Sequence, residues 1–197
     1  MTSITPAATR EEWLHRFIDA ARPEFERVGV PIPAKVRASI GFTSTGLRGK
    51  SIGECWSKSS CPDEVSEIFL KPSLCKDIRK LAGVLTHELI HAAVGHEAGH
   101  GHGFRKPALA LGLQGKMTAT TEGPDYHAWA DPILDRIGPF PGAELVATRA
   151  HKKQTTRQLK LSCTECDWIC RASNTQIEKR GTLVCPDPLC NGELERA

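Results

Sequence analysis

A chain of 197 residues, 40% of them hydrophobic, holds material for one modest core and at most a small appendage. Its net charge of +3 permits a nucleic-acid partner without demanding one, and no apolar run approaches the length of a membrane span. The first ten residues contain no apolar segment of signal-peptide length, so a cytoplasmic protein is expected, and there its eight cysteines point to metal before disulfide.

Thr9-Arg10-Glu11-Glu12 reads as a capping box, with Thr9 as N-cap and Glu12 reaching back to it. Trp13, Leu14, Phe17 and Ile18 follow at helical spacing and predict an amphipathic helix over residues 10–22. Pro23 is expected to start a new turn, and Gly29 suits a helix terminator. Beyond Pro31 and Pro33, three β-like runs at residues 35–42, 51–57 and 66–71 predict a small antiparallel sheet, with residues 41–50 as a hairpin connection.

The next helix should begin near Ser73 or Asp77 and run to Val94. Ile78, Leu81, Leu85, Leu89 and Ala92 form one apolar stripe along it, and Gly95 ends it. A shorter helix starts at Phe104, with Leu109, Leu111 and Leu113 as packing residues. Residues 115–121 look strand-like, and 125–137 look helical with Pro132 near one end or at a kink. The break at residues 138–142 leads us to expect two domains, 1–145 and 146–197.

His87-Glu88-Leu89-Ile90-His91 is an H-E-x-x-H sequence of the kind found in zinc hydrolases. Residues four apart on a helix share a face, so His87 and His91 can grip one metal from the same side. Glu88 stands about 100° round the helix, where it can take a proton from a metal-bound water. This points to a zinc-dependent peptidase. Five of the eight histidines (His87, His91, His96, His100 and His102) fall within sixteen residues, and tetrahedral zinc needs a third protein ligand nearby. Val94 and Glu97 stand where a metzincin has Gly and His, which excludes that subclass. A downstream glutamate such as Glu122 is another candidate, and His102, Tyr126 and His127 are candidates for steadying an oxyanion.

The tail carries a second signal. Cys163-Thr164-Glu165-Cys166 is a C-x-x-C knuckle, and after eighteen intervening residues come Cys185 and Cys190, a spacing that predicts a four-cysteine zinc ribbon. Cys170 is left over as a small apolar residue, and Cys55, Cys61 and Cys75 read as ordinary thiols. So small a module buries little apolar surface, and zinc would supply most of its folding energy.

Gly99-His100-Gly101-His102-Gly103-Phe104 resembles the G-H-G-x-x-F element of SprT-like metalloproteases. Gly53-Glu54-Cys55-Trp56, residues 110–120 and the run Lys153-Gln154-Thr155-Thr156-Arg157 also look like phage and bacterial proteins of that family. The resemblance covers most of the chain from Ile52 on. It implies that His100 is the third ligand beside His87 and His91, with His102 and His96 as the alternatives. It also implies zinc endopeptidase activity on a protein bound or crosslinked to DNA, in the host cytoplasm if the chain is phage-encoded. Lys152, Lys153, Arg157 and Arg171 would then contact nucleic acid, single-stranded DNA included, and Trp168 would stack on a base.

The expected fold class is therefore α+β: a small zincin-like metalloprotease domain, with an N-terminal helix, a short antiparallel sheet and the H-E-x-x-H helix, followed by the ribbon. The competing reading is a non-catalytic nucleic-acid-binding zinc protein whose histidine centre is structural or regulatory.

Overall fold

The computed structural model describes residues 6–47, 49–145 and 158–196. The chain divides into two compact units, Met1–Ala147 and Thr148–Ala197.

The first unit begins with α1, Arg10–Arg27. Thr9 caps it, its hydroxyl accepting from Glu12 N at 3.0 Å, while the Glu12 carboxylate accepts from Ala8 N at 2.7 Å. The reciprocal bond thus lands one residue before the expected Thr9. The helix also runs through Pro23 instead of stopping there. Ala21 and Phe25 are buried on either side of the proline, and their packing holds the helix across one missing backbone donor. Gly29, just past the helix, takes φ +79°, the left-handed turn that suits a residue without a Cβ.

Strands β1 (Val36–Ile40), β2 (Gly53–Trp56) and β3 (Ser66–Leu70) form one sheet in the order β1-β3-β2. The expectation of an antiparallel sheet is corrected: β1 runs parallel to β3, and only β2 is antiparallel to it. Residues 41–50 are likewise no hairpin, because β3 lies between the strands they join. Alternating burial selects each strand's inner face (Val36 and Ala38; Ser66, Ile68 and Leu70) but says nothing about strand order or direction. Two side chains pin the connection instead. The buried Lys71 donates through Nζ to Leu47 O and Gly49 O, and Glu54 accepts from the Ser44 hydroxyl at 2.6 Å.

A short 3-10 turn, Pro72–Lys76, leads into α2, Ile78–Val94, whose N-cap Asp77 accepts from Lys80 N at 3.0 Å. The helix buries far more than one stripe: Ala82, Gly83, Val84, Thr86 and Ile90 are enclosed along with Leu81, Leu85 and Leu89. It is packed on several sides, by β2 and β3, by α3 (His102–Ala110), by β5 (Ala119–Glu122) and by α4 (Pro124–Ile137). Strands β4 (Leu113–Lys116) and β5 (Ala119–Glu122) form a hairpin, and α4 covers Pro124–Ile137 with Pro132 inside it. Leu111 and Leu113 are buried as expected, but Leu109 is exposed on the outer face of α3.

On α1, Trp13 packs edge-on to Phe140 and donates to Gly138 O at 2.8 Å, while Trp129 tilts onto Phe17 of the same helix and donates to Leu111 O at 3.0 Å. Each indole thus buries its body and still satisfies its N–H.

The second unit is a four-stranded antiparallel sheet in the order β7-β6-β9-β8, with β6 Gln158–Cys163, β7 Ile169–Ser173, β8 Leu183–Val184 and β9 Glu193–Arg196. The short helix α5, Asn174–Arg180, bridges β7 and β8. Leu161 and Cys185 are the only buried hydrophobic residues among its described positions. No helix among the described residues is long and apolar enough to cross a membrane.

Candidate metal centre

His87 and His91 stand on successive turns of α2, and the glycine-rich segment after Gly95 folds back to bring His100 to them. Gly95 and Gly99 both take positive φ (+85° and +48°), the backbone geometry that lets so short a segment reverse. His100 Nε2 lies 3.3 Å from His87 Nε2 and 3.2 Å from His91 Nε2, and one ring nitrogen from each residue falls within 4.8 Å of the others. Tetrahedral zinc with bonds of about 2.0–2.1 Å requires ligand nitrogens about 3.3 Å apart, so the spacing fits that ion.

The aromatic ring of Phe104, fully buried on α3, backs all three imidazoles, with centroids 4.6, 4.4 and 5.1 Å from His87, His91 and His100. Burial, helped by the neighbouring rings, lowers His87 to about 4 and His91 to about 3, and burial alone lowers His100. All three are therefore neutral near pH 7, the form that ligates metal.

Glu88 is 7% exposed and lines the same cleft, a hollow of about 450 Å³ whose wall includes β2 and the start of β5. Burial pushes its carboxyl up to about 8, the charge of Glu54 pushes the same way, and hydrogen bonding to the Cys55 backbone opposes them. A cation at the histidines acts in the opposite direction and favours the carboxylate. Strand β2 passes so near that a Cβ on Gly53 would stand 2.6 Å from Glu88 Oε1 and from Val84 Cγ1. Beside Glu88 the Cys55 thiol is buried and raised to about 12, which keeps it protonated and unreactive.

Among the described residues no fourth His, Cys, Asp or Glu joins the three histidines. His96 lines the cleft with its ring 6.2 Å from that of His91, outside the convergent group, and His102 is exposed at the start of α3. Glu122 does not line the cleft: its carboxylate pairs with Lys80 at 3.4 Å and packs over Gly83. Of the oxyanion candidates, His102, Tyr126 and His127, none lines the cleft. Tyr126 is buried with its hydroxyl 3.3 Å from Thr86 Oγ1, and His127 pairs with Asp131 at 3.3 Å.

One polar neighbour of the site carries no signal in the sequence. Thr120 Oγ1 lies 2.9 Å from His87 Nδ1, a contact no spacing rule connects across thirty-three residues.

In the second unit Cys163, Cys166, Cys185 and Cys190 also converge, with Sγ···Sγ distances of 3.6 Å (Cys163–Cys190) and 3.7 Å (Cys166–Cys185). Tetrahedral zinc with bonds of about 2.3 Å sets sulfurs about 3.8 Å apart. The backbone N–H of Glu165 donates to Cys163 Sγ and that of Gly192 to Cys190 Sγ, both at 3.4 Å. The Glu165 bond draws the Cys163 thiol down to about 7. Cys170 lies on β7, paired with Leu161, outside the cluster. Of the proposed nucleic-acid contacts, Arg171 is exposed on β7 directly opposite Lys160, while Lys152, Lys153 and Arg157 lie outside the described residues.

Comparison with curated proteins returns no match, and neither does comparison with solved structures. The profile of the SprT-like family matches residues 14–130, more than half of the chain, and takes in the whole histidine centre, Glu88 and Thr120. With a metalloprotease-like motif folded into three convergent imidazoles inside the matched region, the chain belongs to the SprT-like family.

Proposed function

We propose that this protein is a zinc-dependent endopeptidase that cleaves DNA-associated proteins, with Glu88 as general base and His87, His91 and His100 as ligands of the catalytic zinc. The observation that carries this reading is the convergence of three neutral imidazoles beside a buried carboxylate in one open cleft. Three protein ligands leave a tetrahedral ion one free position, the arrangement of catalytic sites, whereas structural sites close with four. The exposed position of His102 argues in the same direction, against the competing non-catalytic centre.

Bound there, zinc would supply a water whose pKa falls to about 7 and would polarise the scissile carbonyl. Glu88 takes the proton of the attacking water and delivers it to the leaving amine. The apolar packing around Glu88 and its contact with β2 keep the carboxylate aimed into the cleft.

A second zinc on Cys163, Cys166, Cys185 and Cys190 would hold the ribbon together, standing in for its small core. Lys152, Lys153, Arg157 and Arg171 would bring the enzyme to DNA in the cytoplasm, that of the host if the chain is phage-encoded.

The test is Glu88→Gln in the full chain. We expect two zinc ions per chain and no cleavage of an unfolded protein substrate, with or without single-stranded DNA. Wild-type turnover in this variant would remove Glu88 from the mechanism. Absence of cleavage by the wild type under every condition would favour the non-catalytic reading.

A further inference from the structure

We propose that Thr120 is a positioning residue for the histidine centre: its hydroxyl fixes the tautomer and orientation of His87, and the β4–β5 hairpin is docked on α2 to deliver it. This rests on the zinc-binding reading above.

A neutral imidazole carries its proton on one nitrogen only. His87 turns Nε2 towards His100 Nε2 at 3.3 Å and Nδ1 towards Thr120 Oγ1 at 2.9 Å. The roles at this contact follow the tautomer: in the Nδ1–H form the ring donates to the threonine oxygen and the Nε2 lone pair is left for metal. Without that acceptor the Nε2–H form, whose Nε2 has no lone pair for metal, competes.

The other α2 histidine has no such partner. His91 Nδ1 is buried and unbonded among the described residues, and its ring is held by packing on Phe104 at 4.4 Å. His100 lies between Gly99 and Gly101 on the segment that joins α2 to α3. Orientation of the centre by hydrogen bonding therefore falls on the Thr120–His87 pair.

The hairpin's attachment agrees with this role. Lys80, Gly83 and His87 lie at i, i+3 and i+7 on one face of α2, and β5 runs along that seam. Lys80 Nζ reaches both Thr120 O, at 3.5 Å, and the Glu122 carboxylate, at 3.4 Å. Gly83 makes the close approach possible, since a Cβ there would stand 1.9 Å from Glu122 Oε1. Glu122, a candidate metal ligand in the sequence, thus serves to seat the strand that carries Thr120.

The experiment compares Thr120→Val and Thr120→Ser with wild type in the full chain. Valine keeps the shape and strand preference of threonine and removes the acceptor. Zinc affinity of the histidine centre is measured by chelator competition, with the cysteine site as internal control, and the His87 tautomer is read from ¹⁵N shifts of the metal-free protein. We expect Thr120→Val to lower histidine-centre affinity by about 10–100-fold and to populate the Nε2–H form. Thr120→Ser should restore both properties, and the cysteine site should not change. Equal affinity in Thr120→Val and wild type, or an equal loss in Thr120→Ser, overturns the proposal while leaving the zinc reading intact. A wild-type chain that binds no zinc at its histidines overturns both.

Discussion

Gly53→Ala offers a test of how closely the cleft is built around Glu88. The glycine is not needed for its backbone conformation, since its φ lies outside the positive region; it is needed for space. A Cβ there would stand 2.6 Å from both Glu88 Oε1 and Val84 Cγ1 and 3.0 Å from Glu88 Cγ. Relief requires a shift on the order of 0.5–1 Å, judged against ordinary carbon contacts of about 3.5 Å. Strand β2 cannot easily give way, because Gly53 is in register with Leu70 and the neighbouring Ile52 O accepts from Lys71 N at 2.9 Å. Val84 is fixed on α2, so the Glu88 carboxylate is the group that moves.

Overpacking of this kind costs about 1–3 kcal/mol of stability, and a misplacement of about 1 Å in a catalytic group costs about 100-fold in rate. We therefore expect Gly53→Ala to lower kcat for an unfolded protein substrate by about two orders of magnitude, with both zinc ions retained. Kinetics and metal analysis on the same preparation decide the matter. Wild-type kcat at full zinc content would refute the claim that the bare strand edge positions Glu88.

His100→Ala should lose the histidine-centre zinc, whereas His102→Ala should keep it; metal analysis showing the reverse would exchange their roles. Cys163→Ser, or Gly192→Val, whose side chain would start 2.5 Å from Cys163 Sγ, should release the ribbon zinc and unfold that unit, as read by metal content and protease sensitivity. In the metal-free chain His87 and His91 titrate near 4 and 3 instead of 6.5, so the unfolded state takes up protons first as pH falls. Their contribution is lost progressively from about pH 6.5 down to about 3, and its first part, between about pH 6.5 and 5, should already lower stability. Glu88, raised to about 8, acts with the opposite sign over the same range, so the thermal midpoint is best followed in Glu88→Gln, where an unchanged midpoint would contradict burial of the two imidazoles.

Local patterns made much of this protein legible in one dimension. The i, i+4 spacing of His87 and His91 depends only on helix geometry, and the cap at Asp77 and the stop at Gly95 follow from backbone chemistry within a few residues. The cysteine knuckles are similarly local. The spacing of Val94 and Glu97 excluded one class of zinc site, while the placement of His100 came from family resemblance.

Only the tertiary structure decided what depends on long-range packing. The parallel pairing of β1 with β3 was invisible because a period of two defines a strand's faces and leaves its neighbours open. Burial of α2 on several sides, the continuation of α1 through Pro23 and the exposure of Leu109 are outcomes of competition for one core. Glu122 reads in the sequence as a possible ligand, yet the space left by Gly83 and the charge of Lys80 turn it into a clasp. Thr120 gave no signal at all, because its partner His87 is brought to it by the docking of a hairpin on a helix. The sequence alone thus determined which chemistry the chain can carry, and the packing of distant elements decided which side chains are in position to support it.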